Sequence, residues 1–170
     1  MQSGVVLFAI GNRSRGDDAI GPLLLERLAP WLSAEGRTEA FELIDDYQLQ
    51  IEHALDLQGR RLALFIDAGR NTPAPFSFYR IGPVTVEPAG STHSLPPEGV
   101  LGVYRQIAGA APPPSFVLCV RGERFELGEG LSDEAEGHLE AAWQQLRQLC
   151  REPDESRWRA LSCNPGPPAA

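Results

Sequence analysis

The sequence predicts a single three-layer α/β domain: a mostly parallel, twisted, five-stranded sheet with one antiparallel edge strand and helices on both faces. Three observations lead there. Continuously apolar runs, chief among them Val5-Val6-Leu7-Phe8-Ala9-Ile10 and Leu62-Ala63-Leu64-Phe65-Ile66, have the pattern of strands covered on both faces. Between such runs lie stretches whose apolar residues recur at helical spacing. The 170 residues, 42% hydrophobic and 22% charged, suffice for one domain with a real core.

Taken in order, the strand at residues 5–10 is followed by a bend and then by a helix that begins near Asp18, with Ile20, Leu24, Leu28 and Trp31 on one face and Pro22 in its first turn. Phe41-Glu42-Leu43-Ile44 reads as the second strand, and residues 48–57 as a helix with Leu49, Ala54 and Leu57 inward. The third strand covers 61–67. Phe76-Ser77-Phe78-Tyr79-Arg80-Ile81 alternates with period two after a connection of only a few residues. A parallel crossover needs about a dozen residues, so this strand is expected to run antiparallel at an edge. Pro96 and Pro97 open a helix carrying Val100, Leu101, Tyr104 and Ile107, residues 115–121 form the fifth strand, and Ser132 caps a last helix with Asp133 and Glu134 in its first turn. The order is βαβαββαβα. The domain is expected to span 1–150, and 151–170, ending in Asn164-Pro165-Gly166-Pro167-Pro168, to be a mobile tail.

Composition removes several function classes. A net charge of −8 argues against a nucleic-acid or anionic-membrane surface. All 15 basic residues are arginine, so a Walker-type phosphate loop, a Schiff-base lysine and a lysine general base are excluded together. No apolar run approaches the roughly 20 residues that span a bilayer, and Met1-Gln2-Ser3-Gly4 holds no basic n-region; a cytoplasmic location is expected. The three cysteines, Cys119, Cys150 and Cys163, lack Cys-x-x-Cys spacing, so neither a zinc knuckle nor a disulfide framework is expected.

Three polar residues fall at element ends where they can converge. Asp18 follows the first strand, Asp67 ends the third, and His93 precedes a helix in Gly90-Ser91-Thr92-His93-Ser94. Neighbouring first and third strands would end about 5 Å apart, close enough for two carboxylates to share a divalent ion. Oxygen and nitrogen donors alone do not choose among zinc, nickel, manganese and iron. Each residue also has an ordinary structural reading: Asp17 or Asp18 as a helix-start partner, Asp67 as a turn residue, His93 as a hydrogen-bonded surface histidine. His53 and His138 lie within helices and are expected to be solvated.

The pattern Gly11-Asn12-x-x-x-Gly16-Asp17-Asp18-Ala19-Ile20-Gly21, with Asp67 after an apolar strand and Thr92-His93-Ser94 before a helix, resembles the nickel-iron hydrogenase maturation endopeptidases over roughly residues 4–150. The resemblance implies that Asp18, Asp67 and His93 bind nickel carried by the hydrogenase large-subunit precursor, after which a C-terminal extension is removed. Nickel then arrives with the substrate, with another divalent ion as the alternative in isolated protein. Asn12, Asp46 and Gln48 are the expected substrate contacts. Many members of that family have a glycine-rich stretch with threonine after the second strand, whereas this chain reads Asp45-Asp46-Tyr47-Gln48-Leu49. That form, with Arg121-Gly122-Glu123-Arg124-Phe125-Glu126-Leu127-Gly128, is more similar to the branch serving cytoplasmic, cofactor-linked hydrogenases.

No Gly-x-Ser-x-Gly elbow, no His-Glu-x-x-His and no loop cysteine suited to nucleophilic attack is encoded. The activity that the resemblance implies is then that of an aspartic-type peptidase without a nucleophile triad, acting by metal-assisted hydrolysis or by an ion that serves only as a recognition anchor. The rival readings are a noncatalytic nickel chaperone or scaffold using the same ligands, and a nucleotide- or phosphate-binding domain using amides of the Asn12–Gly16 loop with Arg13 and Arg15 at a helix start. A monomer is expected, with the precursor as its partner and neither nucleic acid nor membrane.

Overall fold

The computed structural model describes residues 3–86 and 94–163. Its strands are β1 (Val5–Ile10), β2 (Phe41–Asp46), β3 (Leu62–Gly69), β4 (Phe76–Ile81) and β5 (Ser115–Arg121), and its helices α1 (Ile20–Ala34), α2 (Pro97–Ala108), α3 (Asp133–Arg151) and α4 (Glu155–Leu161). The sheet order is β2-β1-β3-β5-β4. Every pairing is parallel except β4 with β5, as the short β3–β4 link requires.

Alternate residues of β1 feed two cores, which is why its sequence is apolar throughout. Val5, Leu7 and Ala9 join Leu24 and Leu28 of α1 and Trp143 and Leu146 of α3. Val6 and Phe8 join Leu49, Ala54, Leu57 and the α2 residues Val100 and Leu101 on the opposite face. Three layers result, as predicted.

Local geometry departs from expectation at two helices. Gly16–Ala19 is a 3-10 turn, and α1 proper starts at Ile20. The segment read as a helix over 48–57 is a 3-10 helix confined to Ile51–Leu57, although Leu49, Ala54 and Leu57 do point inward. The whole connection, residues 47–61, carries the chain from β2 across to β3, and the short 3-10 helix within it keeps its buried side chains on one side.

The expectation of a mobile tail from 151 is corrected as far as Cys163; residues 164–170 lie outside the described residues. α4 is capped by the Asp154 carboxylate, which accepts from the Arg157 amide at 3.1 Å. Trp158 is 0% exposed, donates from Nε1 to the Leu149 carbonyl at 3.0 Å, and meets Phe78 and Phe116 edge-on at 6.3 and 5.5 Å. The Cys163 amide then donates to the Phe78 carbonyl at 2.8 Å, so the returning chain pairs briefly with the open edge of β4. One tryptophan in a short charged stretch offers no periodicity to read, which is why the segment passes for a tail.

The bend after β1 is held by Asp17. This side chain is 0% exposed. Its Oδ2 accepts from the Glu123 and Arg124 amides at 2.7 and 2.9 Å and from the Ser132 hydroxyl at 2.7 Å, while Oδ1 accepts from the Ser132 amide at 2.8 Å. The Ser132 hydroxyl in turn accepts from Ala135, capping α3. Burial alone would raise the carboxyl's pKa, but the bonds from Ser132, Glu123 and Arg124 outweigh it and hold the group below its ordinary value. Its contribution to stability is therefore present above the unfolded carboxylate's range and is lost as pH falls through the depressed native value.

Two stability outcomes are expected from urea titrations. Trp158→Ala should cost about 3–5 kcal/mol, and a loss under about 1 kcal/mol would show that α4 contributes no core packing. Asp17→Ala should cost about 3 kcal/mol or more, since it strands several buried donors, whereas Asp18→Ala should cost about 1 kcal/mol or less; equal costs would refute the division of labour between the two neighbours.

Candidate functional site: a two-carboxylate crevice

From β1 the chain moves outward to β2 and then returns to the other side of β1 as β3, so the direction of travel across the sheet reverses between β1 and β3. Open α/β sheets bind ligands beyond the carboxyl ends of the strands at such a reversal. Asp18 enters this crevice from the turn after β1, and Asp67 from the end of β3. In the parallel register Ala9 lies beside Ile66, which puts Asp67 level with the last residue of β1. The tight return of the chain requires Gly11, whose φ is 150° and whose missing Cβ would collide with the Asp18 carbonyl. Gly21 lets α1 begin directly against the Ile10 and Ile66 carbonyls.

Asp18 and Asp67 line one cavity of about 600 Å³, together with Tyr47, Gln48 and Leu49 on one side and Ser94, Leu95 and Pro96 on another. Asp18 Oδ2 accepts from the Asn12 amide at 2.7 Å, and Asp67 Oδ1 from the Ala68 amide at 2.8 Å. The second oxygen of each has no partner among the described residues. Desolvation pushes the Asp67 pKa up to about 7; the Ala68 amide opposes this, and the nearby charge of Asp18 adds to it. Native Asp67 thus keeps a proton between the ordinary carboxylate range and pH 7, where the unfolded chain has released it. Its contribution to stability consequently falls as pH rises through that window. A cation reverses the preference, because it favours the charged form that burial and Asp18 disfavour.

Cys119 is the β5 partner of Asp67. Burial pushes its thiol up to about 11; the Thr72 hydroxyl, 3.0 Å from Sγ, pulls it down, and the Asp67 charge adds to the rise. The thiol is protonated at neutral pH and does not supply a thiolate nucleophile.

The structure brings together Asp18, Asp67 and Gln48 of the predicted site residues. His93 lies outside the described residues; its neighbour Ser94 lines the cavity. Among the described residues no group of three or more histidine, cysteine, aspartate and glutamate side chains is arranged to hold an ion. Asn12 faces its own loop, its Oδ1 accepting from the Ser14 amide at 2.8 Å. Asp46 lines a smaller neighbouring hollow of about 260 Å³ with Arg13 and Tyr47. The expectation of solvated histidines is corrected twice. His53 is buried beside Asp46, and His138 is partly buried with Nδ1 3.1 Å from the Arg121 carbonyl. Tyr47 and Leu95 were not singled out from sequence; an exposed aromatic after a strand end was the available signal for the first.

The loop itself speaks against the phosphate-binding alternative. The amides of Asn12, Ser14, Arg15, Gly16, Asp17 and Asp18 donate to Asp18, Asn12, Asn12, Glu129, Arg124 and Arg15 respectively. Arg13 is engaged by Glu26 and Asp45 at 2.5 and 2.7 Å. Most of the donors a phosphate would need are already used. Among the described residues no helix is long and apolar enough to cross a membrane.

No family model and no curated protein sequence matches the chain. Solved structures do. The [NiFe] hydrogenase maturation protease HycI from Thermococcus kodakarensis superposes with a TM-score of 0.63 at 23% identity, over 88% of this chain and 94% of that one. The hydrogenase maturating endopeptidase HybD from E. coli gives 0.64 at 23% identity, over 88% and 93%. A hydrogenase 2 maturation peptidase from a Thaumarchaeota archaeon gives 0.58 at 20%, over 85% and 95%. The shared architecture extends over nearly the whole of each relative, and this chain has the fold of the [NiFe] hydrogenase maturation proteases.

Proposed function

We propose that the protein is an endopeptidase that recognises a nickel-loaded hydrogenase large-subunit precursor and removes its C-terminal extension. The observation that carries this reading is the convergence of Asp18 and Asp67 on the crevice between β1 and β3, each with one carboxylate oxygen directed to no described partner. The names of the structural neighbours point the same way.

The nickel ion belongs to the substrate. Asp18 and Asp67 supply hard oxygen donors to it, and His93, one residue before the cavity-lining Ser94, is the proposed nitrogen donor. A precursor without the ion forfeits these bonds together, so the same residues that dock the substrate also reject it when it is unloaded. Hydrolysis adds the hydroxyl of a water to the scissile acyl carbon and a proton to the departing amine. This chain's contribution is to place that bond and to hold the two carboxylates side by side in the crevice. Asp67 binds as a carboxylate, so its proton leaves when the loaded substrate enters.

The test is incubation of purified protein with nickel-charged and nickel-free precursor, followed by intact-mass measurement. Shortening of the charged form alone is expected; equal rates would remove the checkpoint, and tight nickel binding with no shortening would favour a noncatalytic chaperone. Asp18→Ala, Asp67→Ala and His93→Ala should each lower kcat/KM by about 100-fold or more, about 2.7 kcal/mol in the transition state, with unchanged circular dichroism. Full activity in any of them strikes that residue from the site.

Proton competition at Asp67 supplies a second test. Nickel affinity of the isolated protein, measured by calorimetry, should weaken by about tenfold for each pH unit below about 7 and level off above it. An affinity that stays constant from about pH 5 to about pH 8 would exclude Asp67 as a ligand.

A further inference from the structure

We infer that His53 is a positioning residue, clamping the lip Tyr47-Gln48-Leu49 in the shape with which the cavity reads the substrate's polypeptide, and that Asp46 serves the clamp. The inference rests on the proposed peptidase reading for its substrate but not for its geometry.

His53 is 5% exposed, although the 3-10 helix that carries it presents Ile51 and Leu55 to solvent. The ring lies edge-on to Phe8, centroids 6.0 Å apart at 79°. A phenyl ring would fill the same space. What the imidazole adds is two nitrogens, and each is engaged at a different end of one loop. Nδ1 accepts from the Gln50 amide at 2.9 Å, which leaves the ring proton on Nε2, and Nε2 faces Asp46 Oδ2 at 3.3 Å. The other Asp46 oxygen accepts from the Tyr47 amide at 2.7 Å. One side chain therefore spans the loop from the end of β2 to the start of the 3-10 helix.

The residues between are those that line the cavity opposite Asp67. Tyr47 is 71% exposed at its mouth, and Gln48 is exposed beside it. The Leu49 carbonyl accepts from the Leu95 amide at 2.9 Å, so the lip is also stitched to the wall that continues from Ser94. A large aromatic and an amide held on a fixed backbone contact a peptide with little loss of freedom on binding. The chemistry suits an extended segment with apolar and amide groups rather than a charged small molecule. Asp46, which faces His53 and the Tyr47 amide, acts through them.

The experiment compares wild type, His53→Phe, His53→Gln and Asp46→Asn. His53→Phe keeps the packing on Phe8 and removes both polar contacts; KM for nickel-charged precursor should rise about tenfold with kcat changed less than about twofold. His53→Gln, whose carbonyl replaces Nδ1 and whose amide replaces Nε2–H, should restore KM to within about threefold of wild type. Amide hydrogen exchange should accelerate at residues 47–49 in His53→Phe while the strands stay protected, and nickel affinity should not change. Asp46→Asn, which disturbs no packing, should shift KM in the same direction and keeps the test available if His53→Phe fails to fold. An unchanged KM and unchanged exchange at the lip would overturn the clamp, as would a failure of His53→Gln to rescue. If wild type does not cut the precursor, the peptidase reading fails while exchange at the lip still decides the clamp.

Discussion

Asp17 brings a carboxylate into a place that water does not reach, and the groups that satisfy it come from positions more than a hundred residues away. Three amides and a hydroxyl converge on two oxygens, tying the bend after β1 to the loop after β5 and to the first turn of α3. A buried anion is tolerable only when its hydrogen-bonding capacity is met, so the bend has one acceptable conformation. The orientation of the next side chain follows from it. Asp18 points into the crevice because Asp17 cannot.

Asp17 and Asp67 therefore differ in acidity through their surroundings alone. Asp17 is held ionised by donors, and Asp67 across the crevice is pushed toward its protonated form by desolvation and by Asp18. The same residue type is shifted in opposite directions here: the carboxylate of Asp17 is fully satisfied by donors and anchors the bend, while that of Asp67 has a single amide donor and is dominated by desolvation. The reversal of strand order between β1 and β3 supplies the space that the second of these lines.

The remaining walls differ in chemical character. The lip after β2 is polar and aromatic where a glycine-rich stretch was the alternative, and its shape is set from behind by a buried imidazole. On the far side of the sheet α4 closes over Phe78 and Phe116 and covers part of the β4 edge. The single bridge from Cys163 to Tyr79 shields part of a strand edge on which other chains could pair.

Strand identity, the antiparallel edge and the three layers were legible from sequence because they depend on local periodicity and link length: apolar runs report burial, and a connection too short for a crossover dictates direction. Asp18 and Asp67 were legible as element-terminal carboxylates, but nothing local separated Asp18 from Asp17, since both occupy the same short bend. Their separation was decided by Ser132 and Glu123, which only folding brings near. The same holds for His53, whose helical setting suggested solvent until Phe8 and Asp46 enclosed it, and for Trp158, whose short segment has too few residues for a pattern. Periodicity is a property of consecutive residues, whereas hydrogen-bond satisfaction and desolvation belong to neighbours in space; the first determined the architecture and the second assigned each polar side chain its work.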